Sequence, residues 1–209
     1  MPVPTPHFAA LRYLDWWSLH DSQNYDDLRA AQPNNVQRQA LVRIGRAYKV
    51  IRNFRLVHEV GQQRLGPVQA ALAAIQQPNV DNVCDCVVAF REQLHQIYEQ
   101  QVLVAASKFL WHRFREPVII YDDVALRALR EMGYVIRDNQ YQEFVTAWRI
   151  AYNGTLPGII AACADLPGII QYSWYAAGLT VHEVELLSRQ EWFRQRVFDF
   201  MLWYYYAPY

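Results

Sequence analysis

Lysine is rare in this chain, and one of its lysines lies shortly before an aspartate in a predicted turn. The 209 residues contain only two lysines, Lys49 and Lys108. A lysine amine that has lost its proton is a nucleophile, and burial among apolar side chains favours the uncharged form. A carboxylate beside a centre that becomes positively charged stabilises the transition state. Lys108 and Asp122 are therefore the candidates for chemistry, and the role of Lys108 depends on its burial.

Motifs for metal, cofactor and hydrolase chemistry are missing from the sequence. Two pairs, His58-Glu59 and His182-Glu183, begin like the zinc motif HExxH, but neither is followed by the second histidine. Cys84 and Cys86, placed on a helix, point about 200° apart and cannot share an ion. The sequence also has no GxGxxG, Walker loop or GxSxG. We therefore expect no metal and no cofactor.

Composition predicts a folded protein of the reducing cytoplasm. The chain is 53% hydrophobic and 19% charged, which is too apolar for a disordered segment. Lysine plus arginine and aspartate plus glutamate each number 20, so any polyanion must bind a local patch. Three cysteines cannot all pair within one chain. We expect no membrane span, because no apolar run approaches about 18 residues and no leader pattern is seen at the N-terminus.

The apolar residues recur with the helical period almost throughout, which predicts an all-α fold. We expect a single domain, 1–209, in which two lobes at about 1–80 and 81–209 flank a cleft. The two LPGI segments are predicted to be turns that feed short helices. Capping-box spacing occurs at Thr180-Glu183 and Ser188-Glu191. The longer predicted helices run from Val36 to Phe54, from about Asp81 through Phe109, from about Val124 to a cap near Gly133, and from about Arg189 to Tyr206.

A basic ridge follows the first long helix. Between Arg38 and Arg64 there are seven basic residues and one acidic residue, Glu59. The four that project opposite the apolar face, Arg38, Arg46, Lys49 and Arg52, define the basic ridge. Two alternatives stay open. Either the ridge is solvated or pairs internally, or it faces the phosphates of a nucleic acid. The acidic residues available for internal pairing are Asp15, Asp21, Asp26 and Asp27.

Residues 105–130, AASKFLWHRFREPVIIYDDVALRALR, carry a family resemblance. Lys108 lies on a predicted helix. Asp122 follows a short hydrophobic approach and opens a helix with Ala125 and Arg127 three and five positions on. This stretch resembles the catalytic stretch of the helix-hairpin-helix DNA glycosylase superfamily, in particular its bacterial 8-oxoguanine-glycosylase-like branch. It departs from that family in its shorter lysine-to-aspartate spacing and in lacking the Gly-rich hairpin before the lysine.

The resemblance implies an enzyme that flips a modified or damaged base out of DNA and excises it, leaving an abasic site. Asp122 would stabilise the cationic sugar or align a water, and Lys108 would attack the sugar or position it. DNA is the implied partner, and the basic ridge would replace the missing hairpin. A small member of this branch would suit defence against phages with modified DNA. The candidate pocket rings are Trp111, Tyr121, Trp16 and Trp17.

A second hypothesis needs no catalysis. Asp122 then serves only as a helix cap, and Lys108 only extends its amine to solvent from the end of a core helix. The last helix is hydrophobic nearly all round, so it must be buried or docked. The chain would then be a helical protein- or DNA-interaction module, or a homodimer formed through this aromatic C-terminal helix.

Overall fold

The computed structural model describes residues 4–29, 34–54 and 64–205, and no strand occurs in these ranges. The prediction of an all-α fold is thereby confirmed. Within the same ranges, no helix combines the length and the apolar character needed to cross a membrane. The α-helices are, in chain order, α1 (Pro6–Trp16), α2 (Ser22–Leu28), α3 (Asn35–Ala47), α4 (Gly66–Ala74), α5 (Val83–Tyr98), α6 (Leu103–Phe114), α7 (Asp123–Glu131), α8 (Tyr141–Ile169), α9 (Val181–Ser188) and α10 (Glu191–Tyr204).

The chain forms two compact units. Their boundaries are not at residue 80, where the sequence suggested that two lobes would divide. Unit 1 consists of Met1–Leu19 and Asp122–Tyr209, and unit 2 consists of His20–Tyr121. The N-terminal helix belongs with the C-terminal half because α1 packs against α8 and α10. A break in sequence pattern near a proline marks the end of a helix, and it does not reveal which helices pack together.

Unit 1 is built around α10. The Tyr13 ring of α1 lies 4.9 Å from the Phe193 ring and 5.2 Å from the Phe200 ring, measured between ring centroids. From Trp192 to Tyr204 every residue of α10 is buried or half-buried. Large aromatic side chains contribute strongly to a core when they are enclosed in this way. The expected burial of the last helix is confirmed for this range, and Tyr206 lies outside the described residues.

The prediction that the two LPGI segments form turns is wrong. Pro157 and Pro167 both lie inside the single helix α8. A proline inside a helix removes one backbone hydrogen bond and costs about 3 kcal/mol. The buried residues of α8, among them Phe144 and Trp148, pack the helix within unit 1 against α1, α9 and α10. This tertiary packing offsets the local preference for a break.

Unit 2 contains α2 to α6, and both long helices predicted there are shorter than expected. The first ends at Ala47, and a separate 3₁₀ turn, Ile51–Asn53, follows. The second is divided at Glu99, which has a φ of 53°, so that α5 and α6 are distinct helices. The apolar period continues across both breaks because the residues on either side of each break face the interior of the same unit. Periodicity alone therefore could not locate the ends.

Lys49 lies just after the end of α3 and has the left-handed backbone conformation that glycine usually adopts at this position. Its φ is 57°, its N–H donates to the Arg46 carbonyl at 3.1 Å, and the Val50 N–H donates to the Gly45 carbonyl at 2.9 Å. These two bonds form a Schellman motif. At the end of α7 the same motif uses Gly133, with a φ of 95°. A side chain in the left-handed region costs roughly 1 kcal/mol, so Lys49 is a strained position.

Of the two expected capping boxes, one is confirmed and one is wrong. Thr180 and Glu183 exchange both hydrogen bonds at the start of α9. Ser188 is instead the last residue of α9, and Gln190 is the residue that precedes α10. The local spacing was the same, but the connection between the two helices is too short for Ser188 to cap α10.

Lys49→Gly should raise the free energy of unfolding by about 1 kcal/mol relative to Lys49→Ala. Both variants remove the charged side chain, but only glycine relieves the contact of Cβ with the backbone at positive φ. Urea denaturation of the two variants and the native chain measures the difference. Equal midpoints for glycine and alanine would show that residue 49 carries no backbone strain.

Candidate functional site

A cluster of polar side chains is enclosed in unit 2 around Lys108. Asp21 and His112 are fully buried, Lys108 is 4% exposed, and Tyr48 is half-buried. We call these four residues the Lys108 cluster. The burial on which a chemical role for Lys108 depends is therefore observed. It does not come from the continuous helix that the sequence predicts, since α6 begins only at Leu103 and is buried along most of its length.

Three separate segments deliver the side chains of the Lys108 cluster. Asp21 ends a π-helical turn, Trp17–Asp21, and Tyr48 is the C-cap residue of α3. Lys108 and His112 lie one turn apart on α6. The four-residue spacing places these two side chains on the same face of the helix. Packing of α2 and α3 against α6 then brings the distant Asp21 and Tyr48 to that face.

The cluster is linked by short polar contacts. The Lys108 amine lies 5.2 Å from the centre of the Tyr48 ring, within the range of a cation–π contact. The Tyr48 hydroxyl donates to the Asp21 carboxylate, 3.0 Å from each oxygen. The Nε2 atom of His112 lies 3.2 Å from Oδ1 of Asp21. Asp21 therefore connects the tyrosine to the histidine.

The Lys108 carbonyl determines the hydrogen on one of the two ring nitrogens of His112. Its Nδ1 lies 2.8 Å from the Lys108 carbonyl, which can only accept, so Nδ1 carries a hydrogen. The contact between Nε2 and the Asp21 carboxylate needs one more hydrogen, held by either atom.

A further histidine lies beside this cluster. Burial lowers the pKa of His20, and the neighbouring Asp21 opposes that shift. Burial therefore favours the neutral form of His20 beside Asp21.

Asp122 is the N-cap residue of α7 in unit 1. Its Oδ1 accepts a hydrogen bond from the Val124 N–H at 2.9 Å, and its side chain is half-buried. Asp122, rather than the adjacent Asp123, is the residue that caps this helix. A carboxylate at a helix N-terminus is held in one direction by the backbone N–H groups and favoured by the helix dipole. The structure thus describes a fixed, partly accessible carboxylate.

Unit 1 contains a second carboxyl group, Asp199, that sequence analysis missed. Burial raises the pKa of Asp199, and Asp122 adds to that rise, whereas Arg196 and the Trp148 indole oppose it. The Trp148 Nε1–H donates to Asp199 at 2.7 Å, and Arg196 forms an ion pair with it. The sequence signal for this buried carboxyl group was the presence of an acidic residue inside FDFMLW, the most apolar part of the last helix. Such a residue is retained only where donors surround it.

The predicted pocket rings all lie in packed positions. Trp111 and Tyr121 are buried in unit 2, and Trp111 touches His112 edge-on with ring centroids 5.0 Å apart. The Tyr121 N–H donates to the Ser107 hydroxyl at 3.0 Å. In unit 1, Trp17 packs on Trp192, while half-buried Trp16 packs on Phe200 and Trp203. A role for these rings in lining a base pocket stays a prediction.

The basic ridge is largely open to solvent. Arg46, Lys49 and Arg52 are exposed, and Arg38 is half-buried with its Nε donating to Gln69 at 3.2 Å. Within the ranges that the structure describes, no acidic side chain pairs with these four residues. Asp27 pairs with Arg43 instead. Among the described residues, internal pairing thus does not account for the ridge. Arg55 and the His58-Glu59 pair lie outside the described residues.

The three cysteines lie on two helices, α5 and α8. Cys84 and Cys86 lie half-buried on α5, and burial raises the pKa of the Cys163 thiol to about 12. No group of three or more histidine, cysteine, aspartate or glutamate side chains that could hold a metal ion occurs in the described part of the chain.

Comparison with known proteins identifies no relative. No family model matches the chain, and no curated protein or solved structure matches it. The resemblance of residues 105–130 to DNA glycosylases therefore stays a hypothesis.

Asp21→Ala should lower the free energy of unfolding by about 3 kcal/mol. The change leaves the Tyr48 hydroxyl and His112 Nε2 without their buried partner. Asp26→Ala is the matched control, because Asp26 is exposed on α2 and its loss should change stability by less than about 0.5 kcal/mol. Denaturant unfolding measures both. Similar values for the two variants would contradict the buried cluster.

Proposed function

We propose that the protein is a DNA N-glycosylase that excises a modified or damaged base. The observation that carries the proposal is the burial of Lys108, one of only two lysines in the chain, against the Tyr48 ring. Lysine is almost never buried unless it is paired, and an amine attacks only in its uncharged form. The buried lysine is also the one that the glycosylase resemblance selects.

The chemistry assigns a separate role to each residue. As the bond between the base and C1′ of the sugar breaks, positive charge develops on the sugar, and the Asp122 carboxylate stabilises it. The Lys108 amine forms a bond to C1′, and the base leaves with the bonding electron pair and takes up a proton. The C1′–O4′ bond then breaks, O4′ takes up the proton that the amine loses, and the C1′=N bond of an imine forms. If the amine does not attack, water takes its place and Lys108 positions the sugar.

The basic ridge supports DNA as the partner. Three exposed cations with no acidic partner in the described ranges suit phosphate contacts that do not depend on base sequence. The base and the biological setting rest on the resemblance. We propose a cytoplasmic enzyme whose substrate is a modified base, such as those in phage DNA. No observation on the described residues favours the alternative of docking through the C-terminal helix, because α10 is enclosed in unit 1.

Asp122→Asn should reduce base release by about 100-fold or more with little change in melting temperature. Asparagine keeps the oxygen that caps α7 but lacks the negative charge. The assay is alkaline strand scission of DNA carrying a panel of modified bases. Asp123→Asn is the control, since Asp123 is exposed at the next position, and it should retain activity. Full activity of Asp122→Asn would remove the carboxylate role.

The same substrate tests Lys108. Borohydride should trap a covalent protein–DNA adduct with the native chain and with Lys49→Gln, but not with Lys108→Gln. Base release without any trapped adduct would assign Lys108 to positioning and attack to water. An adduct that persists in Lys108→Gln would show that another amine is the nucleophile.

Replacing Arg46 and Arg52 with glutamine should lower DNA affinity on any sequence and reduce the slope of log affinity against log salt by about 1.8. Each lost phosphate contact contributes about 0.9 to that slope. The slope is measured by titrations between about 50 and 200 mM salt. The control replaces Arg149 and Arg189, which are exposed in unit 1. An unchanged slope in the ridge variant would place the DNA elsewhere.

A further inference from the structure

The Tyr48 ring contacts both side chains that α6 contributes to the Lys108 cluster. The Lys108 amine lies 5.2 Å from the ring centre, and the His112 ring meets the Tyr48 ring edge-on, with centroids 5.3 Å apart. Lys108 and His112 are one helical turn apart, so the ring spans the face of α6 that carries both. No step of the proposed reaction uses this ring.

Contacts at both ends of its side chain hold the Tyr48 ring in place. The Tyr48 N–H donates to the Ile44 carbonyl at 2.9 Å, which anchors the backbone at the end of α3. The hydroxyl donates to the Asp21 carboxylate, 3.0 Å from each oxygen. A side chain that is fixed at its backbone and at its tip loses little further freedom when it makes another contact. The ring therefore presents a defined surface to the amine.

Burial and the ring act on Lys108 in opposite directions. Lys108 is 4% exposed, and the loss of water disfavours an ammonium ion. The negative face of an aromatic ring attracts an ammonium ion, and at a site without water this attraction changes the ratio of charged to uncharged amine about tenfold or more. An amine that keeps its proton has no electron pair with which to attack. The contact with Tyr48 therefore bears directly on the reactivity of Lys108.

We propose that Tyr48 is a positioning residue for Lys108: the face of its ring holds the side chain as an ammonium ion in the free protein and keeps the nitrogen from reacting with small electrophiles. The proposal depends on the ring face, since the phenol oxygen is directed to Asp21. Phenylalanine keeps this face without the oxygen, whereas leucine is apolar and has no such face. The use of this contact in base excision rests on the proposed function, but the held ammonium ion can be measured without DNA.

Competitive acetylation of the two lysines by dilute acetic anhydride tests the proposal. Cleavage at arginine places each lysine in its own peptide, residues 47–52 for Lys49 and 92–113 for Lys108, so mass spectrometry compares their rates within one molecule. Tyr48→Leu should raise the rate at Lys108 about tenfold relative to exposed Lys49, because the ring no longer stabilises the ammonium ion. Tyr48→Phe should leave the rate close to that of the native chain.

Tyr98→Leu is the matched control. Tyr98 is also a buried tyrosine of unit 2, its hydroxyl donates to the Arg64 carbonyl, and its ring packs edge-on against Phe54. The variant removes a comparable ring and hydrogen bond elsewhere in the unit, and Lys108 should react at the native rate. Equal rates for Tyr48→Leu and Tyr48→Phe would overturn the proposal. The same increase in Tyr98→Leu would also overturn it, because the rate would then report opening of the unit.

A fluorinated phenylalanine at position 48 repeats the test with little change of shape. Fluorine withdraws electron density from the ring face, so the attraction for the ammonium ion weakens while the packing stays. Lys108 should then be acetylated faster than in Tyr48→Phe, and this comparison holds even where Tyr48→Leu does not fold. The same rate with and without fluorine would contradict a role for the ring face. None of these measurements involves DNA, so this proposal and the glycosylase proposal fail separately.

Discussion

A carboxylate that is removed from water must find hydrogen-bond donors inside the protein, and three buried aspartates organise the two units in this way. Asp21 gathers Tyr48 and His112 in unit 2. In unit 1, Asp15 gathers a hydroxyl and two backbone N–H groups, and Asp199 gathers an indole and a guanidinium. Each aspartate fixes segments that are far apart in the chain. The candidate functional features of each unit lie beside one of these carboxylates.

Stability and the proposed function draw on the same interactions in this protein. The contacts that satisfy Asp21 also shape the enclosure of Lys108, because Tyr48 contacts both residues. At Lys49, by contrast, the residue present is not the one that would stabilise the backbone best. Glycine would fit its left-handed backbone better, yet the position carries one of the two lysines, on the exposed basic ridge.

The proposed activity divides the handling of DNA among physically different interactions. In the proposal, the basic ridge would supply charge, whose contribution falls as salt rises. Lys108 and Asp122 would supply the chemistry, each held by its own local constraint: enclosure for the lysine and the helix cap for the aspartate.

Sequence alone determined the features that depend on neighbours along the chain. The apolar period determined the all-α fold and the burial of α10, and the local residue types determined the Thr180-Glu183 box and the Gly133 cap. Tertiary structure decided where packing outweighs local preference. It kept Pro157 and Pro167 inside α8, and it placed Lys49 rather than a glycine at the left-handed position after the end of α3.

Tertiary structure also decided which distant residues meet. It joined Asp21 to His112, 91 residues apart, and Asp15 to Ser173, 158 residues apart. A helical pattern records which face of a segment is apolar, but not which remote segment covers that face. The sequence could therefore nominate Lys108 and Asp122, whereas the partners that surround Lys108 follow only from the packed fold.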